Sequence, residues 1–374
     1  MNAVNLNTAS FADEFILGIV GSCGKSTIST IVSHCYFSLE MQNLALTASE
    51  FHEKLPPEDY EKHIKNVIIE VSLDEIIEKK TNKVGFDALI FSNACKNVKN
   101  DDCWHLKRPF IALNVEAVAI LNNDDGHFQD FSDVTPAKII TYGLHENANV
   151  QARNISLTLD GATFDLYEDG EFIERIFSPY FGIYNIYNIL AAIAFFVSIG
   201  FSSTRIVPLI ADLPPIEGKF DKFDSLNNIS IIVDYARTSS SINAILASIS
   251  SVCKGNIITV IGAKGDTSIN ERKLIGKHVC SHSKTVILTS DNPAGNDVGH
   301  IIYDMMQGTV KQNYRICINR EKAIEIALKL AQPNDIILIL GKGCEKVQVI
   351  NAKKHYFCDK ATANYLVNNL KFNT

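Results

Sequence analysis

The sequence has little of what marks secreted, membrane or nucleic-acid-binding proteins. Its nine cysteines are scattered from Cys23 to Cys358 without a C-x-x-C pair, which argues against both a disulfide framework and a zinc site and makes a reducing, cytoplasmic setting the expectation. No segment reaches the roughly 18 apolar residues of a spanning helix. The opening stretch MNAVNLNTASFADEF lacks a basic start and a long apolar run, so neither a leader nor a membrane span is expected. Basic residues are outnumbered 35 to 42, for a formal charge of -7. Phosphate polymers and anionic bilayers select the opposite excess, so small molecules are the expected partners, with no nucleic acid and no membrane. Low-complexity tracts and runs of like charge are missing too, so nothing in the composition suggests a disordered tail.

What is present is a globular composition, 46% hydrophobic and 21% charged over 374 residues, a length that suits two domains with separate cores. In the first half, FILGIV, NVIIEVS, FDALIFSN and VAILNNDD read as buried strands alternating with helical patterns, the grammar of a parallel α/β sheet. From Val150 the apolar period becomes two, with Asp-Gly pairs at 160–161 and 169–170, which predicts an antiparallel meander. The helical run IYNIYNILAAIAFFVSIG follows. The stretch ADLPPIEGKFDKFDSLNN then breaks the pattern and sets a domain boundary near Glu217, beyond which ISIIVDYA, NIITVIG, KTVILTS and DIILILG read as further strands.

Residues 18–30, GIVGSCGKSTIST, raise the first functional question. Ile28, Ile31, Val32, Cys35 and Tyr36 have the spacing of a buried helical stripe, so the loop joins a strand to a helix. In that position Gly21 and Gly24 let backbone N–H groups approach phosphate oxygens, Lys25 neutralises phosphate charge, and the Ser26 hydroxyl suits Mg²⁺. Ser22 and Thr27 complete the loop. The string is a shortened G-x-x-G-K-S, since Ile19 stands where the longer motif has its first glycine.

That loop, followed in order by EVS, NNDD, YNIYN, EGKFD, VDYART, GAKGD, SDNPA and GKGCE, resembles the Mur ligase family over nearly the whole chain. The likeness is strongest to the enzymes that add the third amino acid of a peptidoglycan precursor. It implies a P-loop central ATPase domain with a parallel sheet over residues 1–217 and a Rossmann-like C-terminal α/β domain over 218–374. The family's UDP-sugar-gripping first domain has no counterpart in the resemblance, so a protein partner in its place is a further expectation. The implied activity is an ATP-dependent ligase in which a carboxylate takes the γ-phosphoryl group and an amino acid then displaces phosphate from the acyl phosphate, with ATP and Mg²⁺ required.

Residue by residue, the resemblance gives Lys25 and Ser26 the phosphate and metal roles, and makes Glu70 a metal-binding glutamate. Lys107 falls on a lysine that the family carbamylates into a metal ligand. Asn185 and Asn188 fall on adenine-side asparagines, Asp234 on a ribose-binding acid, and Lys219 on a nucleotide contact where the family has arginine. Asp291, Asn292 and Ala294 of SDNPA, and Gly341, Gly343 and Glu345 of GKGCE, would hold the incoming amino acid, with Glu345 facing its ammonium. Each has a plainer alternative: a helix-start acid for Glu70, an ordinary helix lysine for Lys107, helix capping for the asparagines and Asp234, and turn formation for the two loops.

Several positions depart from the family. Two histidines are absent around EVSLDE and SNACKNVKNDD, Asp221 replaces a glutamate, Arg237 replaces the histidine of DYAH, and GDTS stands at residues 265–268. Such losses near a metal weaken it, so a nucleotide-binding protein without turnover is the alternative to a working ligase. A P-loop kinase or GTPase fits less well, because no N-K-x-D motif appears. Where family members that add meso-diaminopimelate have an arginine fork for its distal carboxylate, this chain has Ala294, so lysine, ornithine or a small neutral amino acid is expected instead. Lys264, Arg272 and Arg320 are the cations that would have to compensate.

Overall fold

The computed structural model describes residues 14–53, 64–82, 84–94, 100–224, 228–350 and 353–369. The altered segment at residues 95–99 lies outside the described residues. Apart from Leu157–Leu159, the chain separates into two compact units that meet in sequence between Pro214 and Pro215.

The first unit runs β1 (Phe15–Val20), α1 (Lys25–Ser38), β2 (Asn43–Thr47), α2 (Ala48–Glu53), β3 (Asn66–Val71), α3 (Leu73–Ile77), β4 (Ala88–Phe91), α4 (Asn100–Ile111), β5 (Val118–Asn122), α5 (Phe128–Ser132), β6 (Lys138–Gly143), β7 (Val150–Thr158), β8 (Gly161–Glu168), β9 (Glu171–Ser178), α6 (Ile183–Ser198) and α7 (Ser203–Ala211). Its nine-stranded sheet has the order β2-β3-β1-β4-β5-β6-β7-β8-β9. β1 pairs in parallel with both β3 and β4. It is therefore covered on both edges and both faces, as its continuous apolar text requires. The β8–β9 hairpin is antiparallel. α6 is apolar nearly all round and buried accordingly. Its Phe195 and Phe196 pack edge-on against Tyr36 of α1 at ring distances of 6.1 and 5.2 Å. The five stripe residues of α1 are all buried.

The second unit runs β10 (Asp221–Asp224), β11 (Ser230–Asp234), α8 (Ser239–Val252), β12 (Ile257–Ile261), α9 (Ile269–His282), β13 (Thr285–Leu288), α10 (Val298–Gln307), β14 (Tyr314–Ile316), α11 (Arg320–Leu330), β15 (Ile336–Leu340), β16 (Val347–Ile350), β17 (Lys353–Tyr356) and α12 (Asp359–Asn369). Six strands in the order β10-β11-β15-β12-β13-β14 form its sheet, and β16 with β17 forms a separate hairpin. From β11 to β14 all pairings are parallel; β10 is an antiparallel edge. Arg320, fully buried, bonds Asp359 through Nε and Nη2 at 2.8 and 2.7 Å and donates to the Leu340 and Ser290 carbonyls at 2.8 and 3.3 Å. One guanidinium thus ties α11, α12 and the ends of β13 and β15.

Candidate functional site

In the first unit the loop between β1 and α1 is held from behind by the residues that follow β4. Ser22 N donates to Asn93 O at 2.9 Å, Cys23 N to Asn93 Oδ1 at 3.1 Å, and Ser92 Oγ to Cys23 O at 2.7 Å. Asn122 of β5 in turn donates to Ser92 O at 3.0 Å. Gly24 has φ 88°, and a Cβ there would run into Asn188 Oδ1; at Gly21 it would run into Ser92 Oγ. Both glycines therefore let the backbone lie closer than any side chain would allow, which is the construction a phosphate cradle needs.

Lys25 opens α1 and its Nζ donates to Gly21 O at 2.7 Å, curling over the loop. Ser26 Oγ donates to Glu70 Oε2 at 2.6 Å, because β3 lies beside β1 in parallel register and carries Glu70 at its end, opposite Ile19. A hydroxyl and a carboxylate side by side are hard oxygen donors, which suit Mg²⁺. Asn188 Nδ2 donates to Asn185 Oδ1 at 3.0 Å, and Asn185 Nδ2 to Phe181 O at 2.8 Å. This linked pair on α6 abuts the loop through the Gly24 contact. Thr27 is buried.

Lys107 bonds Asp130. Its Nζ donates to Asp130 Oδ1 at 2.9 Å, and this bond, with a second from His127, holds the Asp130 carboxyl below the usual range. An ammonium in an ion pair is not the neutral amine that reacts with CO₂, so carbamylation requires that pair to open.

In the second unit Asp234 ends β11 with both oxygens on the backbone: Oδ2 accepts from Phe220 N at 2.8 Å and Oδ1 from Ala236 N at 2.7 Å. Burial pushes its carboxyl up to about 6, against these bonds and the charge of Lys219. The SDNPA and GKGCE loops converge. Asn292 Nδ2 donates to Glu345 Oε2 at 3.1 Å, and a Cβ at Gly341 would lie 3.1 Å from Asp291 Oδ2. A Cβ at Gly343 would lie 2.6 Å from Gly218 O. Glu345 faces ammonium groups of the chain itself: Lys264 Nζ at 2.6 Å and Lys342 Nζ at 3.3 Å. Burial raises its pKa, yet those lysines outweigh burial and the net shift is downward. Lys342 Nζ also lies 3.7 Å from Asp291 Oδ1, and burial lifts the Asp291 carboxyl despite nearby Arg320 and Lys342. Ala294 is exposed, with φ 48°.

Sequence reasoning passed over Ser92, Asn93, Lys342, Tyr235 and Gln348. Tyr235 OH approaches Glu345 Oε1 at 3.4 Å, and Gln348 Nε2 donates to Ser290 Oγ at 2.9 Å and Asp291 O at 3.0 Å. Lys342 carried a signal in its place inside GKGCE, Tyr235 inside VDYART, and Ser92 and Asn93 inside FDALIFSN; Gln348 carried none.

These features define a P-loop α/β unit followed in sequence by a second, largely parallel α/β unit. Residues 19–196 match the Mur ligase middle domain and residues 219–343 the Mur ligase glutamate ligase domain, so the chain belongs to the Mur ligase family. It is 28% identical to the UDP-N-acetylmuramoyl-L-alanyl-D-glutamate--2,6-diaminopimelate ligase of Bacillus cereus, over 93% of this chain and 77% of that one. It is also 28% identical to the UDP-N-acetylmuramoyl-L-alanyl-D-glutamate--L-lysine ligase of Staphylococcus aureus, over 89% of this chain and 73% of that one. A solved UDP-N-acetylmuramoyl-L-alanyl-D-glutamate--2,6-diaminopimelate ligase shares the fold at a TM-score of 0.65, with 24% identity over 96% of this chain and 79% of that one. Among the described residues no helix is long and apolar enough to cross a membrane.

Proposed function

We propose that the protein is an ATP-dependent ligase that joins an amino acid to a peptidoglycan-precursor carboxylate through an acyl phosphate. The observation that carries this reading is the Ser26–Glu70 pair at 2.6 Å beside a lysine-tipped glycine loop, in a chain of the Mur ligase family. Lys25 releases the Gly21 carbonyl and pairs with the β- and γ-phosphates, while the loop N–H groups and the first turn of α1 meet the remaining oxygens. Ser26 and Glu70 hold Mg²⁺, which when bound offsets the charge of the phosphates. Asn185 and Asn188 take the adenine side, and Lys219 and Asp234 are the second unit's contacts to nucleotide. The acceptor carboxylate attacks the γ-phosphorus and ADP leaves. The α-amine, in its neutral form, then attacks the acyl carbon; the bond from that carbon to the phosphate oxygen breaks, and phosphate leaves with the proton that the new amide nitrogen sheds. Glu345, with Asp291 and Asn292, positions the amino acid, its ammonium displacing Lys264 or Lys342 from the carboxylate. The two functional domains in this proposal are residues 1–217 and 218–374.

The amino acid is lysine, ornithine or a small neutral one. Ala294 offers no cation to a distal carboxylate, and the three cations that could replace one all have carboxylate partners: Lys264 with Glu345, Arg272 with Asp304 and Arg320 with Asp359. An unpaired buried carboxylate costs several kcal/mol.

The test supplies Mg-ATP, a UDP-muramoyl dipeptide and a panel of amino acids, and follows phosphate release with mass analysis of the product. Phosphate release that needs both acceptor and amino acid, fastest with the favoured set, is the expected result. The second reading, a nucleotide-binding protein without turnover, is favoured by the Lys107–Asp130 pair, and ATP binding without phosphate release on any substrate would establish it.

A further inference from the structure

We infer that Cys103, His127 and Asp130 form a binding site for one thiolate- and imidazole-preferring divalent cation, with Zn²⁺ the ion the donors fit, separate from the Ser26–Glu70 pair. Cys103 comes from α4, and His127 and Asp130 from the start and interior of α5. Cys103 Sγ lies 3.4 Å from His127 Nδ1, His127 Nδ1 lies 3.1 Å from Asp130 Oδ2, and the three ligand atoms all fall within 4.8 Å of one another.

The direction of approach distinguishes this cluster from a proton relay. A Cys-His-Asp relay places thiol and carboxylate on opposite ring nitrogens, so that the imidazole passes a proton between them. Here both converge on Nδ1, which as a single donor or acceptor serves one of them well. A cation among the three satisfies all at once. Zinc bonds of about 2.3 Å to sulfur and about 2.0 Å to nitrogen and oxygen give tetrahedral edges of roughly 3.5 Å and 3.3 Å, close to the separations present. Thiolate and imidazole select zinc over the all-oxygen preference of Mg²⁺.

The surroundings are arranged to match. Lys107 holds the other Asp130 oxygen, Oδ1, at 2.9 Å, which aims Oδ2 at the cluster in the way outer partners orient a ligating carboxylate. With that lysine, one thiolate and one carboxylate, the protein contributes a net charge of -1, well suited to a dication. His127 N donates to Asp125 Oδ1 at 2.9 Å, and Ala94 N donates to Asp125 Oδ2 at 2.9 Å, so the start of α5 is tied to the residues after β4. Cys103 is 5% exposed, while the side chains of His127 and Asp130 are 31% and 47% exposed. The ion therefore has a sulfur floor and an open side, with a fourth position for water. The 24-residue separation of Cys103 and His127 explains why the absence of a C-x-x-C pair did not reveal the site.

The test is a Co²⁺ titration of the reduced, chelator-stripped full chain. One equivalent of Co²⁺ should produce a near-ultraviolet thiolate-to-metal band with strong visible bands of four-coordination, bleached by Zn²⁺. Cys103→Ser should abolish the near-ultraviolet band, and His127→Gln, at a half-exposed position, should weaken Co²⁺ binding at least tenfold. Two results overturn the inference: a natively folded chain that shows no such band, or a band that survives Cys103→Ser, which would place the metal on another of the nine cysteines.

Discussion

The phosphate-type loop of the first unit and the Glu345 cluster of the second are made of opposite materials. Around Lys25 the structure uses backbone and small side chains: Lys25 donates to the Gly21 carbonyl, and Glu70 accepts from the Ser26 hydroxyl. Around Glu345, charge is matched with charge, with two lysines on one carboxylate and a second carboxylate, Asp291, behind them. A loop of the first kind meets an anion with backbone N–H groups and a helix start. A cluster of the second kind binds by exchange, so its affinity for a cationic amino acid is the difference between two ion pairs and should be modest.

The largest expected effect tests how far the second cluster depends on its buried frame. Asp359→Ala leaves Arg320 buried without its carboxylate and should destabilise the second unit by about 3–5 kcal/mol. Hydrogen exchange resolved by segment should show the loss in β11–β15 while α1 keeps its protection. Equal loss in both units would end the contrast drawn here. Next, Lys25→Ala should weaken ATP binding at least 100-fold, or about 3 kcal/mol, as removal of a central charge donor does elsewhere. Calorimetry with unchanged affinity would mean that the loop does not bind phosphate through this residue.

A smaller effect concerns Asp234. Its folded carboxyl titrates near 6 instead of 3.8, so the folded state holds its proton more tightly than the unfolded one. The stability this adds is fully present below about pH 3.8 and is lost as pH rises through 6, a change on the order of 2–3 kcal/mol. Lys219 and Asp221 are the neighbouring charges that modify it. Denaturant unfolding at pH 4 and 7.5 should show that part of the pH dependence vanish in Asp234→Asn; an identical dependence in the variant would assign the shift elsewhere. The smallest effect is at Ala294. Ala294→Arg should move the preference toward meso-diaminopimelate by about tenfold, roughly 1.4 kcal/mol, and a variant with unchanged ratios in competition assays would remove the residue from substrate selection.

Much of the architecture was legible because buried parallel strands announce themselves: FILGIV, NVIIEVS and DIILILG are rich in buried apolar residues and lie in sheet interiors. β2, β14 and β17 were not, since their residues are largely half-buried or exposed and their pairing is decided by neighbours rather than by their own composition. The convergence of Ser26 on Glu70 and of Asn292 on Glu345 was implied by the family resemblance, and the fold brings them together because strand ends in a parallel sheet lie on one rim. The pairing of Lys264 with Glu345 was hidden for the same reason that Asp130 was hidden beside Lys107. An ion pair between residues 81 or 23 positions apart leaves no periodicity, and each member alone reads as an ordinary surface charge.

Arg320 has one more consequence. Its planar fork grips the carbonyl that precedes Asp291 and the carbonyl that precedes Gly341 at the same time. The gap between the SDNPA and GKGCE loops is therefore set by the width of a single rigid side chain. Substitutions within either loop change which groups line that gap, while its span stays fixed unless the guanidinium moves. Variation in substrate size among such chains should then be sought in side-chain length at the rim, and variation in loop spacing only where the residue at this position is no longer arginine.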